Sequence, residues 1–316
     1  MKTFLHRLLA ALLMLVSALV HAGSGCVVSS EARAENAAVP SCESLYPSAR
    51  YGDDLSPWRV GIAVGYGQRE NPLVNGEDVP VYGGVQLSYF GEYFFFDNGD
   101  IGWFVGSGEH WDINAIAGLG SERVFFSHFN RAGFGFLGVG VDQVESGDTT
   151  ISPLPEKDPD SKPIAQQRER PPRRGLTVDA GLEWLYYRGG VEVQAQLLTD
   201  VSGRHDGQEL WLSAAYHFKR GRWSLSPGLG LVWKSSQAAN YFYGVRAHEV
   251  NKLRAAYKAG DALTGFARFN VAYRLSDHWQ VLGLWQASAF DDSISKSPWV
   301  AEDTSQTVFF GVYYEF

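Results

Sequence analysis

The 316-residue chain is 45% hydrophobic and 14% aromatic, and it carries a formal net charge of −8. This acidic balance argues against nucleic acid as a partner, because phosphate binding needs a basic surface. The mean hydropathy is −0.17. No run after residue 22 approaches the ~20 apolar residues of a spanning helix, which argues against a helical membrane protein. Many aromatic residues with modest hydropathy are typical of a transmembrane β-barrel, and they also fit a large soluble β-sandwich.

Residues 1–22 have the features of a secretory signal peptide. Lys2 and Arg7 form its basic start, Leu8 to Val20 form its apolar centre, and cleavage is predicted after Ala22. We therefore expect the mature protein to be exported.

Residues 23–56 are rich in Ser, Ala, Glu and Pro and show no periodicity, which predicts a flexible periplasmic segment. Cys26 and Cys42, the two cysteines, lie in this segment and can pair in an oxidising compartment. Lipidation of Cys26 is the alternative, although Gly23 stands where a lipidation signal has Leu. Two thiols with no nearby His make a poor metal site, and we expect no metal.

From Trp58 onward, apolar residues alternate with mixed ones, which is the pattern of β-strands. We predict about twelve strands, with ten as the alternative. The Asn98-Gly99 pair is either a hairpin turn or a bulge inside a longer third strand that reaches Phe104. The predicted strands begin near Trp58, Val79, Tyr93, Trp111, Leu176, Val191, Leu210, Trp223, Leu263, Trp279 and Ser305, and one more ends near Val139.

The connections alternate in length. Counted from Trp58, the links after strands two, six, eight and ten are tight, and those after one, five, nine and eleven are long. The link at 151–175 contains six prolines and cannot form a strand interior. Short periplasmic turns and long extracellular loops predict an all-β fold over residues 57–316, a transmembrane up-and-down antiparallel β-barrel. A Greek-key sandwich has no reason to keep this parity.

The two faces of each strand are predicted to meet different surroundings. Leu176 to Trp184 and Leu210 to Phe218 place their apolar residues toward lipid, because charges there are unfavourable. The predicted inward-facing residues are Asp179, Glu183, Glu192, Gln194, Gln196 and Arg268. An interfacial aromatic girdle is predicted to contain Trp58, Tyr93, Phe94, Trp103, Trp111, Trp184, Trp223, Trp233, Trp279 and Trp285.

The final stretch, Ser305 to Phe316, reads SQTVFFGVYYEF. Val308, Phe310 and Val312 share one face with Tyr314 and Phe316, and a terminal aromatic needs an apolar surface beside water. This ending resembles the closing strand of a bacterial outer-membrane barrel, which implies that Tyr314 and Phe316 form a signal for barrel assembly.

Several pieces of the chain, the more specific of them in its second half, form one family pattern. They include Tyr241, Tyr243, Gly244, Val245, Glu249, Tyr257, Ser297 and Pro298, together with His205, Gly207, the stretch from Val79 to Gly84, and the stretch from Tyr273 to Leu275. With these pieces the chain resembles the MipA/OmpV family of outer-membrane proteins over roughly Pro57 to Phe316. It departs from the family at Glu315, where the family usually has Arg, and at the segment 152–174, which is longer and more charged than its equivalent.

The resemblance implies a scaffold in the outer membrane of a Gram-negative cell. Its expected partners are outer-membrane lipid, a murein transglycosylase and a penicillin-binding protein. The short predicted turns leave little periplasmic surface for such partners beyond residues 23–56. A narrow channel for small solutes is the alternative function, followed by a lipid-modifying barrel enzyme.

Sequence motifs for catalysis are absent. The chain contains no G-x-S-x-G elbow and no H-E-x-x-H helix, and its Gly-rich pieces lack the Lys-Ser/Thr of a phosphate loop. We therefore expect neither a cofactor nor enzymatic activity. A His and a Ser that point the same way on adjacent strands near one rim would favour an enzyme instead.

Overall fold

A computed structural model describes residues 57–120, 134–135, 171–172, 174–250 and 255–316. The predicted signal peptide, the N-terminal segment with both cysteines, and most of the proline-rich link lie outside these residues. Among the described residues, no helix has the length and apolar character needed to cross a membrane.

Fourteen strands and three short helices make up the described chain. The strands are β1 (Trp58–Arg69), β2 (Val79–Phe90), β3 (Phe94–Asp97), β4 (Asp100–Ser107), β5 (Trp111–Leu119), β6 (Phe134–Gly135), β7 (Val178–Arg188), β8 (Val191–Asp200), β9 (Gln208–Tyr216), β10 (Phe218–Arg220), β11 (Trp223–Lys234), β12 (Ala262–Arg274), β13 (Trp279–Phe290) and β14 (Thr304–Glu315). The helices are α1 (Ser236–Tyr243), a 3₁₀ helix (Ala247–Glu249) and α2 (Asp292–Ser295).

Twelve of the strands form a closed antiparallel barrel. Going round the wall, β1 is followed by β14, β13, β12, β11, β9, β8, β7, β5, β4, β3 and β2, and β2 pairs with β1 to close the ring. The strand β10 pairs with β11 below the end of β9. Both ends of the barrel chain lie at one rim, where the N–H of Phe316 donates to the carbonyl oxygen of Val60. The predicted fold class is therefore confirmed.

One alternative that the sequence left open is decided, and one predicted strand is wrong. At Asn98-Gly99 the chain forms the hairpin, with β3 and β4 as its arms, and Asn98 (φ 50°) and Gly99 (φ 111°) form the turn in the left-handed conformation that such hairpins need. The predicted fifth strand is not part of the ring, because β5 pairs directly with β7. The described part of the predicted fifth strand is β6, which pairs in parallel with Gly83 and Gly84 of β2. The two outcomes offset each other, so the count remains twelve.

The strand faces point as predicted. Along β14, Ser305, Thr307, Phe309 and Tyr313 are buried, whereas the alternate positions from Val308 to Val312 are exposed. The wall is one sheet thick, so exposed apolar side chains on the outside are what a lipid environment accommodates. Of the predicted inward residues, Asp179, Glu183, Gln194 and Gln196 are buried and Glu192 and Arg268 are half-buried.

The two rims are built differently. One carries the tight turns and is the periplasmic rim, and the other carries the long loops and is the outer rim. Near the periplasmic rim, three strands begin with a Trp whose ring lies 4.8 Å from a Tyr ring on the neighbouring strand. Such exposed Trp–Tyr pairs are suited to the membrane interface. The pairs are Trp58–Tyr89, Trp223–Tyr273 and Trp279–Tyr314.

Candidate functional site

Four loop segments pack together over the outer rim. We call residues 70–78, 235–250, 255–261 and 291–303 the outer cap. The apolar face of α1 supplies the centre, because its residues at one-turn spacing are buried. Isolated β-bridges join Leu73 to Val300 and Val245 to Tyr257. The apolar core of the cap and the adjacent strand ends consists of Leu73, Ala239, Phe242, Tyr243, Ala259, Ala262, Phe290, Ile294 and Val300.

The backbone at Gly244 is the meeting point of the cap. Its carbonyl oxygen accepts hydrogen bonds from Arg174 Nη2 at 2.9 Å and from Trp299 Nε1 at 3.2 Å. The hydroxyl of Ser297 donates to the neighbouring carbonyl oxygen of Tyr243 at 2.5 Å. A Cβ at position 244 would overlap the carbonyl oxygen of Asn240, so the close approach requires glycine here.

A buried ion pair fastens the end of the proline-rich link to the cap. Arg174 Nη1 lies 2.7 Å from Glu249 Oε1, and Nη2 lies 3.3 Å from Oε2. Burial alone would raise the pKa of Glu249, but the Arg174 hydrogen bonds, the N–H of Arg246 and both positive charges bring that pKa below its ordinary value. Glu249 is therefore held as a carboxylate.

Tyr257 closes the other side of the cap. Its carbonyl oxygen accepts from the N–H of Val245 at 2.8 Å, and its hydroxyl donates to the carbonyl oxygen of Ser293 at 2.9 Å. Burial, followed by the charge of Asp291, raises the pKa of Tyr257, so the hydroxyl stays protonated and remains a donor.

The predicted site residues thus fall into two separate places. Those taken from the family resemblance lie together in the outer cap: Tyr241, Tyr243, Gly244, Val245, Tyr257, Ser297 and Pro298. The predicted assembly residues, Tyr314 and Phe316, lie at the opposite rim with ring centroids 4.9 Å apart. The structure does not bring these two sets together.

Beneath the cap, Asp200 organises the loop between β8 and β9. One carboxylate oxygen accepts from the N–H and hydroxyl of Ser202, and the other accepts from the N–H groups of Arg204, His205 and Asp206. This role of Asp200 was not predicted from the sequence, although an Asp followed by Ser and Gly is a turn signal.

His205 connects this loop to the cap. Its ring lies 5.4 Å from the ring of Tyr241 and 5.7 Å from that of Phe242. Burial lowers the pKa of His205 more than the nearby carboxylates of Asp200 and Glu209 raise it, so the ring is held neutral.

One trio among the described residues has the composition of a metal site. Ligand atoms of Asp179, Asp200 and His205 lie within 4.8 Å of one another. However, Asp200 already accepts five hydrogen bonds, and Nδ1 of His205 accepts from the N–H of Gly207 at 3.0 Å. That bond places the ring proton on Nε2, which is then a donor rather than a ligand. Asp200 and Nδ1 of His205 are thus already engaged by N–H groups of the loop between β8 and β9.

Polar side chains line one part of the barrel interior. Glu183 accepts from Asn114 at 2.8 Å, from Gln194 at 2.7 Å and from Gln196 at 2.8 Å. These four side chains come from the neighbouring strands β5, β7 and β8 and form one buried, hydrogen-bonded layer on the inner wall.

A second buried ion pair lies nearer the outer rim. Lys234 Nζ is 2.6 Å from Glu209 Oε1, and the indole N–H of Trp211 donates to the other oxygen of Glu209 at 3.1 Å. A buried charge is tolerated when it is paired and hydrogen-bonded, and this carboxylate satisfies both conditions.

A family profile described as "MltA-interacting protein MipA" matches residues 60–316. The chain belongs to this family. The family resemblance is thereby confirmed, and the protein is an outer-membrane β-barrel.

Three relatives of this MipA-family chain are similar over part of its length, and two of them are named as outer membrane proteins. The outer membrane protein YiaT of Escherichia coli K12 is 27% identical over 145 residues, which cover 46% of this chain and 59% of YiaT. The MltA-interacting protein of the same strain is 25% identical, covering 45% and 58%. OmpV of Vibrio cholerae is 26% identical, covering 46% and 56%. The matched stretch is less than two thirds of each relative's length.

Proposed function

We propose that this barrel is a scaffold of the outer membrane that binds components of the murein synthesis machinery. The observation that carries the proposal is the combination of a polar layer inside the barrel with a packed cap over its outer rim. The buried layer of Glu183 and its amide partners on the inner wall supports a protein that offers surfaces to partners.

The link to murein rests on the family. The matching profile is described as an MltA-interacting protein, and one relative carries the same description. This supports a murein transglycosylase as the partner, and a penicillin-binding protein is proposed on the resemblance alone.

The periplasmic rim offers a limited contact surface. The turns at 189–190, 221–222 and 275–278 are short. We propose that a periplasmic partner contacts the strand ends at this rim together with residues 23–56, which lie outside the described part of the chain.

The test is capture of murein enzymes by the full mature protein in detergent. We expect a murein transglycosylase to be enriched over a control barrel of similar size, and a variant lacking residues 23–56 to capture less. Equal recovery on both barrels would contradict the proposal.

A narrow channel is the second candidate, because the lumen contains the charged pair Lys234–Glu209 as well as the Glu183 layer. Conductance in planar bilayers separates the two functions. The scaffold proposal predicts a silent bilayer with heat-modifiable, correctly folded protein, and stable unitary currents would favour the channel.

A further inference from the structure

A row of four polar side chains crosses the inner wall close to the periplasmic rim. Glu192 lies on β8, His217 lies between β9 and β10, Ser226 lies on β11 and Asn270 lies on β12. In the strand register Ser226 is directly opposite Asn270. Three strands and the link between β9 and β10 therefore contribute one side chain each to this part of the inner wall.

The first three members lie in the order of a proton relay, with a hydrogen bond between His217 and Ser226 and an ion-pair contact between His217 and Glu192. Nδ1 of His217 lies 2.9 Å from Oγ of Ser226, and Nε2 lies 3.5 Å from Oε2 of Glu192. In the tautomer that this geometry favours, the Ser226 hydroxyl donates to Nδ1 while the Nε2 proton faces the Glu192 carboxylate. Nucleophile, base and orienting carboxylate are the three parts of a serine-hydrolase triad, which is defined by geometry rather than by chain order.

The backbone explains why these residues meet. The N–H of His217 donates to the carbonyl oxygen of Gly190 at 2.7 Å, which places its side chain beside the start of β8. Tyr216 and Phe218 on either side are exposed on the lipid face, so His217 faces inward. This is the arrangement that the sequence analysis named as favouring an enzyme.

The side chains of His217 and Glu192 are 18% and 16% exposed, more than those of the sealed pair Lys234–Glu209 nearer the outer rim. Nε2 of His217 is itself buried. Both residues lie within a few positions of the tight turns at the periplasmic rim.

A small cavity adjoins the Ser226 hydroxyl. Ala215 and Gly228 form an apolar part of its lining, while Arg268 and Asn270 provide polar groups. The amide oxygen of Asn270 is buried and has no hydrogen-bond partner among the residues that the structure describes, and a half-turn of the amide would put its N–H donors there. Donors beside a nucleophile can stabilise a developing oxyanion, and the Arg268 guanidinium would favour an acyl group that carries a carboxylate.

We propose that Ser226 is a nucleophile that cleaves small acyl esters entering from the periplasmic mouth, with His217 as the base and Glu192 as the positioning residue. The Ser226 oxygen adds to the ester carbonyl while its proton passes to Nδ1 of His217. The tetrahedral adduct collapses to an acyl-serine, and the alcohol leaves with that proton. Water then attacks the acyl-serine through the same base, which releases the carboxylic acid and restores Ser226. This activity is independent of the scaffold function proposed above.

The test uses the full mature protein folded in detergent, with a fluorophosphonate probe and p-nitrophenyl acetate as reagents. We expect covalent labelling at Ser226, and loss of both labelling and ester hydrolysis in Ser226→Ala. His217→Gln should slow both reactions by about 100-fold or more, as expected for removal of a general base. Glu192→Gln should slow hydrolysis and alter its pH profile. Loss of a carboxylate with a purely structural role would leave that profile unchanged.

The matched control is Ser224→Ala. Ser224 lies on the same inner face two residues before Ser226. The Ser224→Ala variant should be labelled by the probe and should hydrolyse the ester like the parent protein. Heat-modifiable gel mobility checks that each variant is folded. Equal labelling of folded parent and folded Ser226→Ala would overturn the proposal, and so would an absence of labelling in the folded parent.

Discussion

Arg174 and Glu249 lie 75 residues apart in the chain and meet as a bidentate ion pair, with side chains only 2% and 6% exposed. The pair joins the end of the link after β5 to the 3₁₀ helix of the outer cap. Nη2 of Arg174 also donates to the carbonyl oxygen of Gly244, so one guanidinium binds two parts of the cap.

Removing one partner should loosen the cap without opening the barrel. Glu249→Ala leaves the Arg174 charge buried and unpaired, which typically destabilises by about 3–5 kcal/mol. We expect much faster proteolysis of residues 235–261, while heat-modifiable mobility of the barrel is retained. The double variant Arg174→Met, Glu249→Leu should recover part of the loss, because no buried charge remains. Unchanged proteolysis in the single variant would contradict a structural role for the pair.

Gly244→Ala should disturb the cap for a steric reason. The added methyl group overlaps the carbonyl oxygen of Asn240, a backbone atom that cannot move alone. Overpacking of this kind usually destabilises by about 1–3 kcal/mol. Gly260→Ala is the control, since the nearest atom to its new Cβ is Ser293 Oγ at 3.8 Å. Hydrogen exchange of the cap should rise in the first variant and stay near the parent rate in the second.

The loop at His205 should become less stable as the pH falls. Burial lowers the pKa of His205 below its ordinary value of 6.5, so the unfolded loop binds a proton before the folded loop does. Stability is therefore complete above pH 6.5 and declines below it, until the pH falls beneath the folded-state pKa. Hydrogen exchange at 201–207 should show this slope in the parent protein and lose it in His205→Phe. His248→Gln should keep the slope, because His248 is 75% exposed in the cap; a slope that survives in His205→Phe would assign it to another group.

Deleting Phe316 should impair assembly in cells more than folding in detergent. The side chain is 74% exposed, so its removal takes away little buried surface. We expect less protein in the outer-membrane fraction and an unchanged refolding yield in vitro. Phe310→Ala serves as the comparison, since Phe310 is also exposed on the lipid face of β14. If both variants assemble equally well, the terminal aromatic is not a signal.

Much of the barrel was predictable because the period of two and the alternating loop lengths depend on local sequence. The strand division at Asn98-Gly99 was not, since the same dipeptide suits a hairpin or a bulge. The position of β6 also depends on pairing with β2, and long-range pairing leaves no local pattern.

The candidate sites were harder to predict. The cap residues around Gly244 were found through the family resemblance, and their mutual contacts require the fold. Arg174 was overlooked because it ends a charged, proline-rich stretch that resembles an exposed loop. Alternation places Glu192 and Ser226 on the inner face, but only the strand register shows that His217 lies between them.

The bridge between Leu73 and Val300 links the first long loop of the barrel to the last one. A newly made chain has no such contact until its first and final strands have found each other. The epitope that these two loops create together is thus a reporter of completed maturation. An antibody raised against this epitope would bind finished molecules on the cell surface and would not bind stalled precursors.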